Sequence, residues 1–381
     1  KYIIKITEPE LFPDISFRIK MICEDEPENL SCSDATLISC GDTSRVSFVT
    51  PLGYSDNVPC HWENNIINYW YLLPKTDKLL EMQILSHPED YNVTLMAGNC
   101  SEKYCVKTYT KESKKIVFYQ EENSDYYINL FSYFGELVFT LKCVDLAEND
   151  KCANAIPVSC GQTISGDLNY ATFNGHQTGQ ICTSSSDNDL WYSIEGNGEV
   201  YNLKFSPTNS FSGVVTLYEK GECGKLKCIR SKNVWSSNFP DNEFRFVADD
   251  GKEYLVALQG KTEFNFEVIC QQPVANDLCS GAFPLNLNSI TNVTVDNSTP
   301  DKINQCYSGD YNGVWYTFEG NDSIVVIKNA NGFFNVNYVL LEGNCDNYQC
   351  ISNGTLYDQS LLKFRTETGR KYLLLIYGHN V

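Results

Sequence analysis

The cysteines recur at matched spacings along the chain, and that recurrence constrains the fold more than any other feature. Cys32, Cys40, Cys60, Cys100, Cys105 and Cys143 return as Cys152, Cys160, Cys182, Cys223, Cys228 and Cys270. They return again as Cys279, Cys306, Cys345 and Cys350, with Leu287 at the second place and the chain ending before a sixth. Trp70-Tyr71, Trp191-Tyr192 and Trp315-Tyr316 stand between these anchors, and Gly98, Gly221 and Gly343 each precede the fourth cysteine by two residues. So many shared anchors mean three copies of one structural unit. The repeats are expected at 24–143, 144–270 and 271–381, the last lacking its closing strand.

Residues 1–23 then become readable. Lys1-Tyr2-Ile3-Ile4-Lys5-Ile6 and Ile15-Ser-Phe-Arg-Ile-Lys-Met-Ile-Cys23 match Glu253-Tyr-Leu-Val-Ala-Leu and Phe264-Asn-Phe-Glu-Val-Ile-Cys270. They are expected to be the final strands of a preceding repeat. In a rival arrangement they close the third repeat, which would set Cys23 against Leu287.

Seventeen cysteines without C-x2-C pairs, beside four histidines (His61, His87, His176, His379) of no common spacing, point to disulfides in an oxidising compartment, not to metal. The last repeat lacks the second and sixth positions, so economy pairs second with sixth: Cys40–Cys143 and Cys160–Cys270. The same reasoning pairs first with third (Cys32–Cys60, Cys152–Cys182, Cys279–Cys306) and fourth with fifth (Cys100–Cys105, Cys223–Cys228, Cys345–Cys350). Cys223-Gly-Lys-Leu-Lys-Cys228 then reads as a hairpin tip stapled across its own turn. N-x-S/T sequons at Asn29, Asn92, Asn99, Asn292, Asn321 and Asn353 add N-glycans as attached groups. A seventh, at Asn297, is the poorest acceptor because Pro300 follows it.

Runs such as Val200-Tyr-Asn-Leu-Lys-Phe205 and Gly213-Val-Val-Thr-Leu-Tyr218 are rich in β-branched and aromatic residues, and Gly, Asn, Asp and Ser separate them. No ten-residue stretch holds a 3.6-residue period. The fold class expected is all-β: tandem Ig-like or jelly-roll-like β-sandwiches of about 110–125 residues, stapled by disulfides. The joints around Glu24–Asn29, Val144–Asn149 and Gln271–Asn276 are short, as in a semi-rigid rod of domains.

The net charge of −19 argues against nucleic acid and anionic lipid as partners, since both need clustered Lys and Arg. No apolar run reaches the length of a membrane span, so any membrane attachment would need an anchor this chain does not carry. There is no G-x-S-x-G, no H-E-x-x-H and no phosphate-binding glycine loop, and no histidine recurs between repeats. Neither catalytic residues nor a cofactor are expected. Asp187/Asp189 and Asp249/Asp250 could in principle hold calcium, but they read as turn acids beside strands. Trp70, Trp191 and Trp315 recur, and are expected to pack in sandwich cores against the disulfides. Trp62 and Trp235 do not recur and stand among polar residues, so they are the candidate cargo-binding aromatics. With so few histidines, acid release of a ligand would fall to carboxylates.

The pattern Asn149-Asp150-x-Cys152-x-x-Ala155, Asp189-Leu-Trp191-Tyr192 and Leu217-Tyr-Glu-x-Gly221-x-Cys223, echoed from Asn276 to Cys345, resembles the prepeptidase C-terminal-like β-sandwich repeat. Tandem copies with sequons in an Asn-, Lys-, Ile- and Tyr-rich chain are similar to the cysteine protease-binding protein family of amoebic protists. The first repeat departs from the motif: it has Asn29 but Leu30 where the others carry Asp. The resemblance implies a lumenal receptor region that binds protein cargo, namely lysosomal hydrolases (cysteine proteases, lysozymes or glycosidases). It would work in the endomembrane lumen between ER, Golgi and lysosome or phagosome, or at the cell surface. The alternative reading is a carbohydrate-binding or adhesin array.

Overall fold

The computed structural model describes residues 28–48, 58, 68–121, 124–173, 187–206, 211–236, 242–301, 303, 306, 312–329, 335–357 and 360–377. Among them the helices are three-residue 3-10 turns, and all other regular structure is β. The first repeat contributes β1 (Thr36–Leu37), β2 (Thr43–Phe48), β3 (Asn68–Leu72), β4 (Leu79–Ser86), β5 (Asn92–Ala97), β6 (Tyr104–Thr110), β7 (Lys115–Phe118), β8 (Tyr126–Phe131) and β9 (Gly135–Val144). The second has β10 (Ile156–Pro157), β11 (Thr163–Asp167), β12 (Asn188–Glu195), β13 (Val200–Phe205), β14 (Ser212–Glu219), β15 (Lys227–Trp235), β16 (Glu243–Val247), β17 (Glu253–Gly260) and β18 (Glu263–Gln271). The third has β19 (Phe283–Pro284), β20 (Gly313–Glu319), β21 (Ile324–Lys328), β22 (Val336–Gly343), β23 (Tyr348–Leu356), β24 (Leu361–Arg365) and β25 (Lys371–Tyr377).

Each repeat builds a five-stranded sheet of one order: β1-β3-β8-β5-β6, β10-β12-β17-β14-β15 and β19-β20-β25-β22-β23. Among the described residues the second sheet has four strands in the first two repeats, β2-β9-β4-β7 and β11-β18-β13-β16, and two, β21-β24, in the third. The chain is therefore all-β, in disulfide-stapled sandwiches. Its contacts divide it into two compact units: residues 1–143 without Val117–Tyr119, and residues 144–381 with those three. The second compact unit carries the second and third repeats.

The central strands of the five-stranded sheets are buried on both faces, so they read as nearly continuous apolar runs in β8, β17 and β25. The four-stranded sheets face solvent on one side and alternate, as in β18, where Phe264, Phe266 and Val268 point inward. In the second repeat Leu190, Tyr192 and Ile194 of β12 join those residues in the core between the sheets. Trp191, one position out of phase, lies on the opposite face with Cys152, Tyr218, Leu226, Leu255 and Ala257. Trp70 and Trp315 repeat this second core beside their own cysteines. The tryptophans are buried against disulfides as expected, but on the outer face of the sheet and not between the two sheets.

That outer core decides the cysteine pairing. Cys32 bonds Cys100, Cys152 bonds Cys223 and Cys279 bonds Cys345, with Cα–Cα separations of 5.6, 6.0 and 5.7 Å. Cys306 bonds Cys350. Cys105 and Cys228, at the place of Cys350, are bridged as well, and not to Cys100 or Cys223, which are already taken. The first–third pairs Cys32–Cys60, Cys152–Cys182 and Cys279–Cys306, and the fourth–fifth pairs Cys100–Cys105, Cys223–Cys228 and Cys345–Cys350, are thereby corrected. Only the second–sixth bridges, Cys40–Cys143 and Cys160–Cys270, stand as read. The absence of the second and sixth cysteines from the third repeat singles out their own pairing and leaves the other four places open. The β14–β15 hairpin forms, but its tip is tied down to the 3-10 turn at Cys152, over Trp191, and not across itself.

Two further devices recur. Asn29, Asn149 and Asn276 each accept the backbone N–H of the repeat's tryptophan and donate Nδ2 to its carbonyl, at 3.1, 2.9 and 3.0 Å for the side-chain bond. This fixes the incoming chain beside the tryptophan strand. Tyr126, Tyr254 and Tyr372 each accept, at the phenol oxygen, the backbone N–H of the residue five positions earlier. A buried tyrosine thus keeps its polar end satisfied at the corner between strands.

Candidate functional site

Strands β10 and β11 form edges of the two sheets of the second repeat. An open cleft of about 490 Å³ lies between them. Ile156, Ile164 and Leu190 supply apolar wall, and Tyr170 and Tyr192 aromatic surface, while Ser165 and Asp167 stand on the exposed β11 side. Burial pushes the Tyr192 phenol up to about 12 against a hydrogen bond from Asn149, so it is neutral at any physiological pH. Asp167 accepts from the backbone N–H and side-chain amide of Asn169 at 2.9 and 2.7 Å, which points its carboxylate along the rim. The lining contains no histidine, cysteine or lysine. Chemically it offers apolar surface, hydroxyls and one carboxylate, which suits binding an extended segment or a ring more than moving protons.

Beneath the outer cores of the second and third repeats lies a carboxylate system that the motif made partly legible. Asp150 accepts from the Thr172 hydroxyl at 2.9 Å, and Asp277 from the Thr299 backbone and hydroxyl at 2.6 and 2.8 Å. The indole N–H of Trp191 donates to Asp189 at 2.8 Å. In the third repeat Gly313 occupies the place of Asp189, and Asp301, from a loop, accepts the Trp315 N–H at 3.0 Å instead. Burial raises the Asp301 carboxyl to about 7, with the neighbouring Asp277 pushing it further against the Trp315 hydrogen bond; Asp277 is itself raised by burial. In the first repeat, where Leu30 stands at the place of Asp150 and Asn68 at that of Asp189, the fully buried Trp70 N–H meets no acceptor among the described residues, and Lys103 Nζ sits 5.3 Å from its ring centroid. Asp301 was missed because it answers to no anchor; the only signal was Gly313 where an acceptor was needed.

Among the candidates from sequence, Trp235 ends β15 with 41% of its surface exposed. It is not part of the cleft lining. Trp62 lies outside the described residues. Asp187 pairs with Lys261 at 2.7 Å while Asp189 is buried on Trp191, and Asp249 pairs with Lys252 at 2.7 Å. Neither acid pair forms an open cation site. The one metal-like cluster among the described residues, Cys160, Glu199 and Cys270, contains two sulfurs already joined to each other. Of the sequons, Asn99, Asn292 and Asn321 are exposed, and Asn92 is half-buried on β5. Asn29 is corrected as a glycan site: it is buried and its Nδ2 is spent on the Trp70 carbonyl. The Asn353 Nδ2 likewise donates to the Cys306 carbonyl.

No family model matches this chain, and no curated protein matches it. Among solved structures, it is similar to the N-terminal CBM22-1-CBM22-2 tandem domain of Paenibacillus barcinonensis Xyn10C, at 10% identity and a TM-score of 0.17, over 62% of this chain and 99% of that one. The CUB1-EGF-CUB2 domains of rat MASP-1 match at 9% identity and a TM-score of 0.15, over 61% of this chain and 100% of that one. At such TM-scores neither likeness carries a functional argument. The disulfides themselves fit a secreted or lumenal setting, and no helix among the described residues is long and apolar enough to cross a membrane.

Proposed function

We propose that this chain is a binding array: the lumenal, cargo-binding part of a transport receptor for lysosomal hydrolases. The observation that carries the reading is the second-repeat cleft, an apolar and aromatic trough whose polar rim carries one carboxylate and whose lining holds no histidine, cysteine or lysine. Disulfide-tied repeats present such a surface rigidly, and the surplus of 48 acidic over 29 basic residues favours basic cargo. The motif resemblance to the amoebic receptor family supplies the cargo class. In a pull-down from cell lysate with the glycosylated chain, eluted by acidification, lysosomal hydrolases are expected in the eluate. Ser165→Arg, on an exposed edge of the cleft, should remove them while shifting stability by under about 0.5 kcal/mol. Equal recovery with that variant would separate the cleft from the cargo site, and an eluate without hydrolases would defeat the receptor reading.

A second reading rests on Trp235, whose exposed ring at the end of an outer strand could stack on a sugar. Glycan-array binding that Trp235→Ala abolishes would favour a carbohydrate-binding array.

A further inference from the structure

Strand β11 lines the cleft along its whole length, and only one of its main-chain sides is bonded. The Gly161 N–H donates to the Val268 carbonyl, the Val268 N–H to the Gln162 carbonyl and the Leu168 N–H to the Thr262 carbonyl, at 2.7, 2.8 and 3.3 Å. Between these fixed points the antiparallel ladder alternates, so Ile164 bonds Phe266 and Gly166 bonds Phe264. The N–H and C=O groups of Thr163, Ser165 and Asp167 therefore point away from β18. None of them has a partner among the described residues.

The first repeat shows the same edge closed. Ser47 stands at the place of Asp167, and its outward carbonyl accepts the Tyr69 phenol at 2.8 Å. Ser44, at the place of Ile164, hydrogen-bonds the Tyr71 phenol at 2.7 Å, which ties one sheet to the other. Arg45, at the place of Ser165, puts a charge on the edge and is held by both Glu136 oxygens at 2.7 and 2.9 Å. A donor spent on the outward carbonyl and a charged side chain on the edge both keep another strand away. In the second repeat Leu190, Ile164 and Ser165 occupy these places, and all three devices are gone.

We propose that the second-repeat cleft takes an extended peptide of the class basic–apolar–any–apolar as a strand added antiparallel to β11. This deepens the cargo reading above and rests on it for the source of the peptide. The outward groups of Thr163, Ser165 and Asp167 supply main-chain hydrogen bonds, and the side chains supply selectivity. With the residue opposite Asp167 counted as first, the second and fourth lie opposite Gly166 and Ile164, on the inner face toward Leu190 and Tyr192. Those two positions call for apolar side chains. The first shares the outer face with Asp167 and Glu263, which lie directly opposite each other. One Asp167 oxygen holds both bonds from Asn169, the other has no partner among the described residues, and Glu263 has no ion pair among them. Two like charges side by side are relieved by a Lys or Arg on the added strand.

The probe is the end-blocked heptapeptide Ser-Arg-Val-Thr-Val-Thr-Ser, added to the full chain. At saturation it should slow hydrogen exchange of the Thr163, Ser165 and Asp167 amides by about tenfold or more. The Ile164 and Gly166 amides, already bonded to β18, should change far less. Protection at every second residue is the mark of a bonded strand, which side-chain docking in the cleft does not leave. N-methylation of the central threonine keeps every side chain of the peptide but removes the N–H aimed at the Ser165 carbonyl, and should weaken binding about tenfold. Ser165→Pro, which takes no bond from the β11–β18 ladder, should do the same from the other side. Uniform protection, no protection, or undiminished binding of the N-methylated peptide each overturns the strand addition. Equal affinity after replacing the peptide's arginine by glutamate overturns the basic first position. The acid-eluted pull-down separates this proposal from the receptor reading. Hydrolases captured equally by Ser165→Pro overturn the strand addition and leave the receptor standing. A chain that captures none yet shows the alternating protection loses the receptor reading and keeps the peptide site.

Discussion

The second and third repeats share the Asn-Asp-x-Cys entry, the tryptophan strand and the hairpin tied over it, and they form the same five-stranded sheet. Among the described residues they differ in the second sheet, which has four strands in the second repeat and two in the third. With β18 in place, Phe264, Phe266 and Val268 close the core, and Cys270 reaches back to Cys160. Among the described residues of the third repeat, 290–294 form no strand, and the aromatic floor on β24 is half-buried. The five-stranded sheet, braced by its outer disulfide core, is the part that the two repeats share among the described residues.

The sharpest way to break this contrast is to open the second repeat. Cys160→Ala with Cys270→Ala removes a bridge spanning 110 residues, for which chain entropy sets a cost of about 4–5 kcal/mol. Hydrogen exchange of β11 and β18 should rise, while β12 and β17 keep their protection. Next in size, Phe246→Ala should cost about 3–5 kcal/mol and its counterpart Phe364→Ala about half as much, because the latter leaves a smaller cavity. Urea midpoints resolved by methyl resonances of each repeat check this, and equal costs would erase the difference.

The third prediction uses pH. Unfolded, the Asp301 carboxyl releases its proton near 3.8, whereas folded it holds it to about 7. In that window the folded state binds the extra proton, so stability falls as pH rises, being fully present below about 4 and lost above about 7. The change is on the order of 3 kcal/mol. Asp301→Asn should flatten the dependence in the third repeat, read from its Leu373 and Leu375 methyls in urea at both ends of the range. The smallest effect compares tryptophans. Trp191→Phe removes an indole N–H from the buried Asp189 carboxylate, whereas Trp70→Phe removes an N–H without a described acceptor. The first substitution should therefore cost about 1–2 kcal/mol more than the second in denaturant midpoints. Equal losses would mean the Asp–Trp bond contributes nothing net.

Much of this architecture was legible before any coordinates. Repeat spacing defined the three units, β-branched and aromatic runs marked the strands, and the missing second and sixth cysteines identified Cys40–Cys143 and Cys160–Cys270. The Asn-Asp motif flagged residues that now prove to hold the tryptophan strand. The cleft was not legible, because its walls come from β10, β11 and β12, whose approach depends on how two sheets close at one edge.

What sequence by itself determined is the kind of element at each place and which places are equivalent, since composition and period act locally along the chain. What only the tertiary structure decided is which equivalent places meet. Cys223 lies five residues from Cys228, yet it bonds Cys152, which is 71 residues away in sequence and 6.0 Å away by Cα. A disulfide responds to distance and direction in space, and both are set when the hairpin tip folds over Trp191.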